Sequence, residues 1–301
     1  MTKLRAPLLG LSASGNIGDD ITFGRTRGVN IVRTLPKPPD RKTLEQMYQR
    51  WDYQDYIYLW HQLSAAEKFQ WESTARPHHM TGFAFWMSSR LTNLPNLAAR
   101  YHLDQVSGVL VMDSSRNTNN GTVYGAFTVP GYISGALSFD GIDDYVDCGN
   151  NDSLSPTSSV TVLVWINPTT QPSGYGHINS KGNDNCYQTR IHTIGSTYRF
   201  EGLIKNSLGI TVHLDEGPYQ PLGTFHHHAF VYNGTLIALY KDGILKNTIS
   251  QTGLIETNAQ NLLIGKRIDG YFYANIIDQL SIYNRALSPE EIRTHANRRY
   301  P

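Results

Sequence analysis

The sequence predicts a mainly β protein, in which a β-sandwich follows a small N-terminal part made of a β-hairpin and helices. From Tyr101 onward, short alternating strands are separated by turn residues at roughly regular spacing, which is typical of an all-β sandwich. Four of the five tryptophans lie before residue 90, and near residue 95 the composition shifts to Tyr, Thr, Asn and Gly. The chain has 301 residues, 40% of them hydrophobic and 17% charged, so two globular domains are expected.

The first predicted element is a β-hairpin. Residues 21–25 and 31–35 are rich in β-branched and aromatic side chains, and residues 15–20 and 27–30 supply turn residues. Prolines follow at once, beginning with Pro36, and end the second strand because proline cannot donate to a ladder.

Three helices are predicted after the hairpin. Apolar residues recur at helical spacing in the first of them: Leu44, Met47, Tyr48, Trp51 and Tyr58. Thr43 with Gln46, and Ser64 with Glu67, form capping-box patterns that start the first and second helices. The third is expected over residues 81–90.

This N-terminal pattern resembles a small domain of structural proteins in tailed phages and related viruses. The resembling features are the Ser14-Gly15-x-Ile17-Gly18 start, the Arg27-Gly28 and Val32-Arg33 hairpin, and the spacing of Gln46, Arg50, Leu63, Ser64 and Trp71. The resemblance implies that residues 1–96 anchor the protein to other virion proteins. The alternative is a helical domain that serves only folding or oligomerisation.

Several motifs in the second part occur in a characteristic order. They are Phe139-Asp140-Gly141-Ile142-Asp143-Asp144-Tyr145, Val160–Pro168, Phe225–Tyr232, Leu239–Gly243 and Ile277–Ser288. Together they resemble the LamG-like jelly roll, a concanavalin A-like sandwich found in many glycan-binding proteins. The resemblance covers residues 99–296, leaves a short tail at residues 297–301, and implies that Trp165 packs between the two sheets. Fold alone does not assign a function.

An acidic cluster follows the strand that ends at Phe139. The resemblance implies a structural Ca²⁺ that ties this turn to the last strand, with Asp140, the carbonyl region of Gly141 and Asp278 as ligands. The alternative is turn chemistry, since Asp-Gly and Asp-Asp pairs form turns without any metal.

Sugar binding requires aromatic rings and polar side chains on one rim, and three loops are candidates: residues 175–187, 215–220 and 269–273. From these loops the predicted ligand-binding residues are Tyr271, Tyr273, Tyr219 and Asp215. Because strand side chains alternate, at least one of residues 271–273 must face the core. The same alternation argues that His226, His227 and His228 cannot converge on one zinc ion.

Catalytic signatures are missing from the sequence, so the protein is not expected to be an enzyme. No glutamate begins the Glu-x-Asp-x-x-Glu pattern of laminarinases and related glucanases, and no Gly-x-Ser-x-Gly elbow, phosphate loop or Cys-x-x-Cys occurs. The net charge of +1 argues against nucleic acid as a partner, and no apolar run is long enough to span a membrane. The N-terminus lacks the apolar core of a secretory signal, and the two cysteines form no disulfide framework.

The predicted function is that of a virion structural protein, a capsid decoration or tail-associated protein made in the host cytoplasm. It would display the jelly roll for glycan adhesion to the host surface and form a homo-oligomer. Three alternatives stay open: a free carbohydrate-binding adhesin, a glycan-cleaving enzyme, and an architectural protein that contacts only protein neighbours.

Overall fold

The computed structural model describes residues 15–17, 21–26, 29–34, 44–90, 96–104, 109–115, 117–170, 174–183, 186–218 and 220–298. Its helices are α1 (Leu44–Gln62), α2 (Ala65–Ala75), α3 (Gly82–Arg90) and α4 (Pro289–Ala296), with short 3₁₀ turns at Arg76–His78 and Asp152–Leu154. None of the helices in these ranges is long and apolar enough to cross a membrane.

The described strands belong to three antiparallel sheets. In chain order they are β1 (Gly15–Ile17), β2 (Ile21–Thr26), β3 (Val29–Thr34), β4 (Leu97–Tyr101), β5 (Leu110–Val111), β6 (Gly121–Tyr124), β7 (Phe127–Pro130), β8 (Gly135–Asp140), β9 (Tyr145–Asp147), β10 (Val160–Asn167), β11 (Tyr175–Lys181), β12 (Tyr187–Ile194), β13 (Thr197–Lys205), β14 (Thr211–Asp215), β15 (Gln220–Pro221), β16 (His226–Tyr232), β17 (Leu236–Lys241), β18 (Ile244–Ser250), β19 (Leu262–Ile264) and β20 (Ala274–Tyr283).

The predicted hairpin is present as the β2–β3 pair, and β1 adds a third strand beside β2. The predicted start of the second helix is also confirmed. Ser64 is the N-cap of α2, where its hydroxyl accepts from the backbone N–H of Glu67 and the Glu67 carboxylate returns to Ser64. The same reciprocal arrangement, between Ser288 and Glu291, begins α4.

The predicted sandwich is confirmed as two facing sheets. Over the described residues, the order β18-β17-β16-β10-β20-β8-β7, with β4 beside β20, forms the back sheet. The front sheet has the order β14-β13-β12-β11-β19-β9-β6-β5, with β15 beside β13. Apolar side chains of both sheets meet between them, such as Val162 and Val164 from the back sheet and Phe200 and Ile204 from the front sheet.

One expectation about the central strand is wrong. Val162, Val164 and Ile166 of β10 face the inter-sheet core, so Trp165 points out of the sandwich. Its ring stacks on Tyr132 at 3.6 Å between centroids and is edge-on to His227 at 5.3 Å. The register of β10 sets this orientation, and Trp165 is nevertheless only 4% exposed because it is covered on the outer side.

The three consecutive histidines alternate as predicted. His226 pairs with Asp242 near the surface at 2.8 Å, and His227 lies beside Trp165 on the outer side of the back sheet. His228 is buried between the sheets, where its ring stacks on Phe200 at 4.6 Å.

The helices pack on the outer side of the back sheet. Tyr56 of α1 and Trp86 of α3 form one buried apolar cluster with Leu163, Tyr283 and Ile292, the last from α4. Backbone contacts accordingly divide the chain into compact units at residues 1–43 and 44–301, so the helices share a unit with the sandwich. This boundary lies nearer the N-terminus than the composition shift, and an anchoring role for residues 1–96 stays a prediction.

Buried ion pairs add to the contact between α1 and the sandwich. Asp52 pairs with Arg100 of β4, and both Asp55 oxygens accept from one nitrogen of Arg298 at 2.8 and 2.7 Å. Arg100 is only 4% exposed and also donates to the Tyr283 hydroxyl. Asp52 keeps about a third of its side chain exposed, whereas Arg100, Asp55 and Arg298 are withdrawn from water and depend on their partners.

Candidate functional site

The side chains on the outer side of the front sheet form the candidate binding surface, which we call the open face. Strand alternation produces it, because Tyr198, Phe200 and Ile204 of β13 point into the core while Arg199 and Glu201 point outward. Its members are Tyr124, Tyr145, Asp147, Tyr175, Arg190, His192, Arg199, Glu201, His213 and Asp215 from the strands, and Lys266, Arg267, Asp269, Tyr271 and Phe272 from the segment after β19.

Tyr175 is the aromatic centre of the open face. The Arg190 guanidinium lies 3.9 Å from the centroid of its ring, and the His192 ring lies 4.5 Å away. Arg190 also donates through Nε to Glu201 Oε2 at 2.8 Å, and Glu201 Oε1 lies 3.7 Å from His192 Nδ1. These contacts hold the four side chains in one arrangement across β11, β12 and β13.

The charged row continues onto β14. Arg199 pairs with Asp215 at 3.1 Å, and Arg190 contacts His213 Nδ1 at the same distance. Glu201 and Asp215 lie directly opposite each other in the β13–β14 register. Two carboxylates side by side would repel, and an arginine paired with each one offsets that repulsion.

The segment after β19 folds beside this row. Asp269 accepts from Arg267 through both carboxylate oxygens at 2.7 Å, and the Arg267 guanidinium lies 4.6 Å from the Tyr271 ring centroid. Beneath it, His177 is 1% exposed, and burial together with the charges of Arg267 and Arg190 lowers the pKa of its imidazole to about 3. A neutral, fixed ring therefore supports Tyr271, whose ring centroid lies 6.1 Å away.

A second aromatic group lies toward the other edge of the front sheet. Tyr124 and Tyr145 are cross-strand partners whose rings stack at 4.5 Å with an interplanar angle of 11°. Lys266 Nζ lies 4.2 Å from the Tyr145 centroid and 4.9 Å from that of Phe272. Across the front sheet, the ion pairs of β12–β14 lie toward one edge, Tyr175 of β11 lies at the centre, and the Tyr124–Tyr145 pair lies toward the other edge.

Two of the four predicted sugar-binding residues lie on the open face. Tyr271, 47% exposed, and Asp215 both lie on the open face, separated by the strands between β14 and β11. Tyr273 is fully buried in the inter-sheet core, so its prediction as a surface contact is wrong. Residues 271–273 lie outside a regular strand, with only an isolated bridge from Phe272 to Lys266, so strand alternation does not apply and Tyr271 and Tyr273 face opposite sides. Tyr219 lies outside the described residues.

The acidic turn brings Asp140, Asp143 and Asp144 together, with one oxygen of each within 4.8 Å of the others. Asp140 Oδ1 also accepts from the backbone N–H of Ile142 at 2.8 Å and of Asp143 at 3.3 Å, and these bonds lower the pKa of Asp140. Three converging carboxylates fit a hard cation and are the residues that would hold Ca²⁺. Calcium at this turn stays a prediction.

Gly141 and Asp278 have other roles in the structure. Gly141 has a φ of +79°, and a Cβ there would lie 2.5 Å from the Ala274 side chain, so glycine lets the turn approach β20 closely. Asp278 lies four residues beyond Ala274 on β20, so it is about 13 Å from Ala274 at the usual rise per residue of a strand. Its Oδ2 accepts from the backbone N–H groups of Tyr132 and Ile133 at 2.9 and 3.0 Å. The structure therefore does not bring Asp278 to the acidic turn.

The sequence analysis did not predict most of the residues of the open face. The polar residues at alternate positions of β12 and β13, Arg190 and His192, then Arg199 and Glu201, are the signal that could have indicated a solvated sheet face. Tyr175 stood at the edge of a candidate loop, but it lies in β11.

Comparison with known proteins shows the family to which this fold belongs. Residues 140–293 match the family described as the concanavalin A-like lectin/glucanases superfamily, and no curated protein matches the chain. The binding domain of Paraclostridial Mosquitocidal Protein 1 is similar with a TM-score of 0.55 and 17% identity, over 67% of this chain and 52% of that one. Domain 4 of AbnA, a GH43 extracellular arabinanase from Geobacillus stearothermophilus, in complex with arabinotriose, is similar with a TM-score of 0.54 and 18% identity. The match covers 67% of this chain and 98% of that one.

The ligand-binding domain of botulinum neurotoxin serotype D, in complex with N-acetylneuraminic acid, gives a TM-score of 0.52 and 14% identity, over 67% of this chain and 50% of that one. The chain therefore spans about half the length of the two toxin structures. At these identities the likeness shows a shared fold.

Proposed function

Because this chain belongs to the concanavalin A-like lectin/glucanases superfamily, we propose that its lectin-like jelly roll binds glycan through the open face. The observation that carries the proposal is the arrangement around Tyr175, where a partly buried ring adjoins the ion-paired Arg190 and Glu201. An aromatic ring can stack on the apolar side of a sugar, while charged groups beside it bond the hydroxyls.

The fixed geometry of the open face supports binding. Arg190, Glu201 and His192 are already held by one another, so little side-chain freedom remains to be lost when a ligand arrives. Two similar structures carry saccharides, arabinotriose in one and N-acetylneuraminic acid in the other, which makes glycan a reasonable ligand class for this chain.

Replacing the central ring tests this proposal. Tyr175→Ala removes the stacking surface, and we expect glycan affinity to fall about tenfold, the effect of losing an aromatic contact at the centre of an interface. Tyr175→Phe keeps the ring and should retain most of the affinity. The measurement is titration calorimetry with the best ligand from a glycan array.

The matched control is Tyr53→Ala, which truncates a tyrosine of α1 that is 43% exposed and lies away from the front sheet. Equal affinity of Tyr175→Ala and the parent chain, with both folded by circular dichroism, would overturn the proposal.

We further propose that the protein is a virion structural protein, attached through residues 1–96 and displaying the jelly roll. The support is the resemblance of the N-terminal motifs to phage structural proteins, together with the gain that many copies on one particle give to weak sugar binding. Immunogold labelling of particles with antibody to residues 99–301 tests it. Regular label on heads or tails is expected, whereas unlabelled particles with soluble protein would favour a free adhesin.

One observation favours glycan cleavage as a second candidate. Glu201 and Asp215 oppose each other on neighbouring strands, and cross-strand partners approach the separation of about 5 Å that retaining glycosidases use. Each carboxylate is paired with an arginine, however, which suits a fixed binding surface better than a proton donor. Release of reducing ends from a bound polysaccharide, lost in Glu201→Gln, would establish cleavage.

A further inference from the structure

We infer that the ligand of the open face is an uncharged polysaccharide segment of several sugar units that lies across the strands. This inference rests on the proposed glycan binding and adds the charge and the length of the ligand. Two independent features carry it: the pairing of charges on the open face, and the separation of its aromatic rings.

The arginines of the open face are already neutralised. Arg190 pairs with Glu201, Arg199 with Asp215, and Arg267 with Asp269 through two hydrogen bonds. A carboxylate or sulfate on a ligand would have to displace one of these partners and would meet the released carboxylate nearby. Binding of an acidic sugar would therefore exchange one ion pair for another with little gain.

Lys266 is compensated in a different way. Its ammonium group lies over the rings of Tyr145 and Phe272 rather than against a carboxylate among the described residues. Asp147, on the same outward side of β9 as Tyr145, adds a carboxylate to this end of the open face, where it accepts from Asn261. Neither end of the open face therefore presents an isolated positive charge to a ligand.

The aromatic rings are too far apart for one sugar unit. Tyr175 lies on β11, and Tyr145 and Tyr124 lie two and three strands away on β9 and β6. At the usual strand spacing these separations are at least about 10 and 14 Å, because Tyr175 is also displaced along β11 from the register of Tyr145. Tyr271, which is 47% exposed, adds a further ring beside His177 of β11. A ligand that contacts both groups must be an extended chain that runs across the strands.

The chemistry predicts how binding responds to ligand and salt. Neutral hydroxyls would meet side chains that keep their ionic partners, so screening by added salt should change affinity by less than about twofold. Each additional sugar unit that reaches another ring adds contacts without a second loss of translational freedom, so affinity should rise by at least about tenfold from one unit to a chain that spans both groups.

The experiment compares ligands on the full chain by titration calorimetry. The panel contains neutral polysaccharides, uronic-acid and sulfated polysaccharides, and a length series of oligosaccharides from the best neutral polymer, each at about 0.05 and 0.5 M NaCl. Tyr124→Ala should weaken the long oligosaccharides and leave the short ones unchanged, whereas Tyr175→Ala should weaken both. Tyr53→Ala serves as the surface control.

The possible outcomes distinguish a failure of this inference from a failure of the proposed glycan binding on which it rests. Preference for acidic polymers with affinity lost in high salt, or saturation of the open face by a single sugar unit, would overturn the inference while Tyr175→Ala still weakened binding. No binding of any glycan in the panel would instead overturn glycan binding itself.

Discussion

At the scale of single residues, Asp278 shows that burial can give a side chain a structural role in place of a predicted metal-binding one. The sequence resemblance made it a calcium ligand, but the residue is fully buried and receives two backbone N–H groups on one carboxylate oxygen. Gly131 is required beside it, because a Cβ there would lie 2.8 Å from Asp278 Oδ2 and 2.3 Å from the Gly135 carbonyl oxygen. Asp278 therefore holds the turn before β8 against β20.

Replacement of Asp278 should reveal this role through stability. Asp278→Ala leaves the N–H groups of Tyr132 and Ile133 unpaired, and we expect a loss of about 2–4 kcal/mol in the free energy of unfolding. Burial raises the pKa of Asp278 well above its usual range, so the folded state binds its proton more tightly than the unfolded chain. Its contribution is present below pH 4 and is lost as the pH rises through the raised pKa.

The measurement is urea unfolding across that pH range. Asp278→Asn keeps an oxygen acceptor and cannot ionise, so its stability relative to the parent chain should increase with pH. A difference that stays constant as the pH rises above the usual pKa of an aspartate would show that Asp278 carries no such linkage.

At the scale of elements, α1 owes its position to a buried junction with the sandwich. The sequence gives α1 an apolar stripe, but two acidic residues inside it, Asp52 and Asp55, pair with Arg100 and Arg298 from elements far along the chain. Burial raises the pKa of Asp55 while the Arg298 and Arg100 charges oppose that shift. The pairing makes the docking of α1 specific as well as apolar.

Removing one partner of this junction should be costly. Asp55→Ala leaves Arg298 buried without its carboxylate partner, and we expect a loss of about 3–5 kcal/mol in the free energy of unfolding. The matched control is Glu290→Ala, which breaks an exposed pair with Arg293 whose side chains are 54% and 58% exposed. That change should cost less than about 1 kcal/mol. Equal losses in the two variants, measured by chemical unfolding, would contradict the assigned importance of the junction.

At the scale of the whole molecule, the helices and the sandwich form one unit. Trp86 and Tyr56 cover apolar side chains of the back sheet, and the charged junction lies beside them. A jelly roll that begins at residue 99 would expose both this apolar surface and Arg100, which is 4% exposed in the full fold. The compact unit begins at residue 44 instead.

Truncation tests this unit directly. A chain of residues 44–301 should unfold in one cooperative transition. Its thermal midpoint should be close to that of the sandwich in the full chain. A chain of residues 99–301 should be several kcal/mol less stable or aggregate, because burial of its outer surface is lost at about 25 cal/mol per Å². Equal thermal midpoints for the two chains would show that the jelly roll is independent of α1–α3.

The sequence alone determined the features that depend on neighbouring residues. The capping box of Ser64 and Glu67, the turn at Asp140 and Gly141 and the strand at Val160–Asn167 follow from backbone preferences within a few positions. The order of these motifs was enough to identify the sandwich.

Only the tertiary structure decided which side of each strand faces the core and what covers the outside. Strand alternation would put Tyr271 and Tyr273 on the same side, but residues 271–273 lie outside a regular strand, and the fold buries Tyr273 and exposes Tyr271. Arg190 and Glu201 became partners because β12 and β13 pair in one register, and Trp165 turned outward because β10 is fixed between β16 and β20. Register is a property of paired strands, so a single strand's residues do not specify it.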